Sequence, residues 1–148
     1  MTKVLFCHGA ADRLQSAAAW LMQYSRRREP SGAPHATLVY APDKEMAERF
    51  DRLLWTQPAT GFLPHCRADS PLAAETPVLI TSSLEVMPQH EKLLNLSNEL
   101  PPGFSRFEYL VEVVSEDDAV RLSARERVKF YRDRGYEIQF RDLGREPL

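Results

Sequence analysis

Apolar runs of strand length alternate with stretches of helical period along most of this chain, and that alternation confines it to an α/β layer fold. Residues 4–8 read as a first strand. Residues 13–27 follow as a helix with Leu14, Ala17, Ala18, Leu21 and Tyr24 on one stripe, and Asp12 is placed to cap it. Beyond a connection broken by Pro30 and Pro34, a second strand is expected at 36–40. Asp43 caps the next helix, in which Met46, Phe50, Leu53 and Leu54 recur at helical spacing up to Trp55. Residues 77–81, centred on Val78, Leu79 and Ile80, are apolar enough to be covered on both faces, which predicts a central strand. Further strands are expected at 93–96 and 109–114. Ser115 and Asp118 have the spacing of a capping box, opening a helix that runs to about residue 134 and stops at Gly135. Residues 136–140 alternate like an edge strand with one wet face. No repeat or linker divides the chain, so residues 1–148 form one α/β domain with a mostly parallel central sheet.

Composition and motifs exclude several functions. With 19 basic and 21 acidic residues the net charge is −2, so the molecule as a whole has no pull on nucleic acid or anionic membrane. No apolar run approaches the roughly 20 residues of a membrane span, and a cytoplasmic protein is expected. Cys7 and Cys66 lack CxxC spacing and fit a reducing compartment. After the first strand the chain reads Cys7-His8-Gly9-Ala10-Ala11-Asp12, one glycine where a dinucleotide fingerprint needs three, with no P-loop and no GxSxG elbow. The pairs Cys7-His8 and His65-Cys66 resemble metal ligands. Neighbours on a strand point to opposite faces, however, so each pair offers one ligand, and two fall short of the four a structural zinc takes. His35 and His90 lie in polar connections bordered by proline, and no histidine has an arguable nucleophile beside it. Neither a catalytic residue, a metal nor a cofactor is expected.

Two surfaces invite partners. In LLWTQPATGFLPH, residues 53–65, a helix ends on Trp55 and a connection punctuated by Pro58, Gly61 and Pro64 carries Phe62 and Leu63. Aromatic area left wet there is a docking site; folded back onto the domain, it is core. On the last helix, Arg121, Arg125, Lys129 and Arg132 stack as one cationic ridge, next to an apolar stripe of Val120, Ala124, Val128 and Tyr131. Such a ridge is either a solvated face or the receiver of an acidic peptide with an apolar end.

Segment 53–65, with its W-x-x-P-x-x-x-F-x-P-H pattern, the helix EDDAVRLSARERVKFYR at 116–132 and the order of elements around them resemble the chi subunits of bacterial DNA polymerase III holoenzyme, over nearly the whole chain. The resemblance implies a three-layer sandwich of Rossmann-like topology without a nucleotide-binding glycine loop. It also implies a non-catalytic accessory subunit of the clamp-loader complex, linking the psi subunit to the acidic C-terminal tail of single-stranded DNA-binding protein. Trp55 and Phe62, with Leu63 and Pro64 beside them, match the psi-binding surface. Arg121, Arg125 and Lys129 match basic positions used against the tail. Val128 stands where an aromatic wall of the tail pocket is expected, a departure for which Tyr131 or Phe130 could compensate.

The alternative of another class is a small nucleotide- or phosphate-dependent enzyme working in the crevice at the carboxyl ends of the strands. Direct nucleic acid binding is disfavoured, since four cations on one face make few phosphate contacts.

Overall fold

The computed structural model describes residues 1–26, 36–56, 64–73, 76–85 and 91–143. Seven parallel strands form one sheet, β1 (Lys3–Ala10), β2 (Thr37–Tyr40), β3 (His65–Arg67), β4 (Val78–Thr81), β5 (Lys92–Asn95), β6 (Tyr109–Ser115) and β7 (Glu137–Asp142), in the order β3-β4-β2-β5-β6-β1-β7. Helices α1 (Arg13–Arg26) and α2 (Lys44–Thr56) cover one face, and α3 (Asp118–Asp133) covers the other. The alternation of side chains along each strand divides the core accordingly. Val39, Ile80, Leu94, Val111 and Val113 meet Leu14, Ala17, Leu21, Phe50 and Leu54 of α1 and α2. Leu38, Leu79, Leu93 and Leu110 meet Tyr131 of α3 and Phe104 and Phe107 from a short 3-10 turn and its exit. Each fully buried side chain of this size contributes roughly 1.5–3 kcal/mol.

The helix starts follow their caps. The Asp12 carboxylate accepts from the amide of Gln15, and that of Asp43 accepts from Glu45 and Met46. At α3 the cap is Asp117, which accepts from the Ala119 amide at 2.9 Å, and not Ser115, which is spent as the last residue of β6. Gly135, at φ 80°, ends α3 as expected, a left-handed conformation that disfavours any side chain.

Three sequence expectations need correction. Residues 65–67, of which His65 closes the loop segment 53–65 and the other two were assigned to no element, form β3, a strand too short to show a period. It occupies the edge and leaves β4 second from that edge; β4 is buried but not central. The inward stripe of α3 consists of Ala124, Arg127 and Tyr131, with Val120 and Val128 only partly buried. Arg127 had no place in the apolar stripe because its partner lies on another element. Glu112 of β6 shares a face with Leu110, has no exposed surface, and accepts from Arg127 Nε at 2.8 Å and Nη2 at 3.1 Å, from the Tyr131 hydroxyl at 2.7 Å and from Asn95 Nδ2 at 3.0 Å. Burial, followed by the Glu112 charge, drives the Tyr131 phenol far above its ordinary range, so it stays a proton donor.

Removing one partner of a buried, hydrogen-bonded ion pair costs about 3–5 kcal/mol, because the other charge is left uncompensated. Arg127→Met is expected to lower unfolding free energy by that amount in urea titration. Glu112→Leu combined with Arg127→Met is expected to lose much less than the sum of the two single changes.

Candidate functional site

The outer side of α3 and the carboxyl ends of β1, β6 and β7 enclose a groove of about 920 Å³. One wall is helical, with Arg121, Arg125, Val128, Lys129 and Arg132 at spacings that stack them on a single face. The base is Phe6, Val114 and Ala124, a small apolar cluster of its own. The opposite wall is aromatic. Phe140 of β7 is 48% exposed and packs edge-on against Phe6, with ring centroids 5.8 Å apart, and against His8 at 6.5 Å. The guanidinium of Arg132 lies 5.9 Å from the centre of the Phe140 ring, within reach of a cation–π contact that bridges the two walls.

The four cations are not equivalent. Arg121 Nη2 is 2.7 Å from Asp118 Oδ1, one helical turn earlier, in an exposed pair. Arg125, Lys129 and Arg132 make no ion pair among the described residues. The groove thus holds three unpaired cations beside an exposed aromatic ring, with Glu116, Asp118 and Asp133 also on its lining.

Tyr131 and Phe130 do not take the aromatic place suggested for them. Tyr131 is fully buried against Glu112, and Phe130 packs against Phe104 on the other flank of α3 beneath Arg134, 4.8 Å from its ring centre. A residue three positions after Val128 turns towards the core while Val128 borders the groove. The aromatic wall comes instead from Phe140, which the alternation of 136–140 marked only as an exposed or buried strand position. Nothing in the local sequence tied it to α3.

At the opposite edge of the sheet, Trp55 occupies the last turn of α2 and is 59% exposed, although its ring packs edge-to-face on His65 of β3 at 5.0 Å. Pro64 is exposed beside it. Phe62 and Leu63 lie outside the described residues. Trp55 and the groove therefore belong to opposite edges of the sheet, and the helices carrying them cover opposite faces.

The crevice where a nucleotide phosphate sits in related open sheets lies at the β1–α1 turn. Here Arg13, the first residue of α1 and 6% exposed, fills it: Nε donates to Val113 O at 2.8 Å, Nη1 to Asn98 Oδ1 at 2.7 Å and Nη2 to Ser97 O at 2.7 Å. Burial pulls its guanidinium down to about 10, which leaves it charged at neutral pH. Cys7 and Cys66 fall on β1 and β3 with four strands between them. Among the described residues no three metal-ligating side chains converge, and no helix is long and apolar enough to cross a membrane.

Fold and groove define the class: an open, all-parallel α/β sheet that carries a cationic, aromatic-walled groove on one helix face. The family model described as DNA polymerase III chi subunit, HolC, matches residues 1–139. The DNA polymerase III subunit chi of Pseudomonas aeruginosa is 31% identical over 107 residues, covering 72% of this chain and 74% of the relative. That of Escherichia coli is 27% identical over 128 residues, covering 86% of each. The chain belongs to the DNA polymerase III chi subunit family, as the resemblance implied.

The contrast between the two tryptophans is measurable, because Trp20 is only 6% exposed. Acrylamide should quench the fluorescence of a Trp20→Phe variant, which reports Trp55, several times more steeply than that of a Trp55→Phe variant.

Proposed function

We propose that this chain is a non-catalytic accessory subunit in DNA replication that joins two partners of the clamp-loader complex. The groove receives the acidic C-terminal tail of single-stranded DNA-binding protein, and Trp55 with its neighbours receives the psi subunit. The observation that carries the first half is the set of Arg125, Lys129 and Arg132, without ion pairs among the described residues, beside the exposed ring of Phe140. Carboxylates pair with the cations while an apolar end lies on Phe140 and Phe6, which is how an anionic peptide with a hydrophobic terminus is held. The second half is supported by the exposure of Trp55 and by its separation from the groove. Phe62, Leu63 and Pro64 belong to the same proposal.

The internal hydrogen bonds of Arg13 favour this reading over a nucleotide- or phosphate-dependent enzyme. A phosphate at the β1–α1 turn would have to displace three short bonds from a buried guanidinium.

Titration of a tail peptide, followed by fluorescence anisotropy, tests the groove. A hydrogen bond to a charged group contributes about 1.5–3 kcal/mol, so Arg125→Glu with Lys129→Glu should weaken binding at least about tenfold. Phe140→Ser should cost about tenfold and act only on peptides that keep their apolar terminus. Asp118→Asn releases Arg121 and should tighten binding. Unchanged affinity in the double reversal would assign the tail to another surface.

Co-purification with psi tests the other edge. Trp55→Ala should abolish it and leave the tail affinity intact; loss of both would indicate unfolding.

A further inference from the structure

At the end of α2, two side chains one helical turn apart close on a single residue of β3. His65 presents no side-chain surface to solvent, and its Nε2 lies 3.3 Å from Asp51 Oδ1, a carboxylate that is 33% exposed, within ion-pair distance though not in hydrogen-bond geometry. Trp55, four positions after Asp51 on the same helix, sets its ring edge-to-face against the His65 ring, with centroids 5.0 Å apart and planes at 62°. On the sheet side the strand partner of His65 is Val78 of β4, which is apolar and buried, and from α2 Asp51 brings a carboxylate to the imidazole.

A large exposed aromatic ring at a fraying helix end loses rotamer freedom when a partner covers it, and that loss subtracts from affinity. Here the ring is already set against His65, in a residue that is 59% exposed.

We infer that His65 and Asp51 are positioning residues for Trp55: Asp51 fixes the imidazole, and the imidazole fixes the indole in the orientation that docks. The inference rests on the proposed role of Trp55 in psi binding. It adds two residues that touch no partner and act through the ring they hold.

The test uses the full-length chain labelled with 5-fluorotryptophan, which gives two 19F resonances, one from Trp20 and one from Trp55. The Trp55 resonance is expected to be displaced in His65→Gln and, less strongly, in Asp51→Asn, with the Trp20 resonance as the internal reference. In psi titrations His65→Ala and Asp51→Asn should each lose about two- to tenfold in affinity, the scale of immobilising one side chain, and Asp51→Glu should recover part of it. Urea midpoints identify any variant that fails to fold. Asp51→Asn, altered at a partly exposed site, then carries the test.

A Trp55 resonance indifferent both to loss of the Asp51 carboxylate and to loss of the imidazole would overturn the brace, whatever psi does. Resonances that respond as expected while psi affinity stays unchanged would overturn the positioning role, provided Trp55→Ala still abolishes binding. If Trp55→Ala binds psi normally, the docking reading has failed, and the positioning role with it.

Discussion

Glu112 has no contact with solvent, yet α3 is held in place around its charge. A carboxylate in the middle of an apolar strand is tolerable only if its oxygens are filled, and Arg127, Tyr131 and Asn95 fill them. Two of those donors lie four residues apart on α3, so the helix is fixed in rotation as well as in position. That rotation decides the outer surface: with Arg127 and Tyr131 turned to the sheet, Arg125, Lys129 and Arg132 must face outward. The groove's polarity thus follows from an ion pair that no partner touches. A buried pair of this kind adds little net stability over an apolar substitute. Its value lies in selecting one rotation of a helix that carries basic residues on several sides.

A second arginine has a comparable role at the carboxyl end of the sheet. Arg13 closes the β1–α1 turn by joining the ends of β5 and β6 through Ser97, Asn98 and Val113. In open parallel sheets that position is the natural ligand crevice. Here the guanidinium supplies the chain's own positive group to the chain's own carbonyls. The concave surface offered by α3 instead lies on the helix face beside an edge strand, where walls from two elements meet. A groove bounded by a helix and an edge strand suits an extended peptide better than a nucleotide.

Much of this was legible in the chain itself. The alternation of short apolar runs with helical stripes located β1, β2, β4, β5, β6 and β7 and all of the described helices to within a few residues, because burial on one or two faces leaves a period in the sequence. The cationic ridge was visible for the same reason, since spacings of four, four and three define one side of a helix. Strand β3 was not, as three residues in a stretch of turns have no period to read. The pairing of Glu112 with Arg127 was not legible either, since fourteen residues of chain separate an acid on a strand from its cation on a helix.

The sequence by itself determined the longer elements and most of their inner faces, because periodicity is a property of a single segment. Only the tertiary structure decided what each face meets. It turned Arg127 inward, paired Arg121 with Asp118, brought Phe140 across from β7 to face α3, and set Trp55 of α2 against a histidine of β3. Those pairings depend on strand order and helix rotation, which arise from many weak contacts between distant segments, and no local pattern records them.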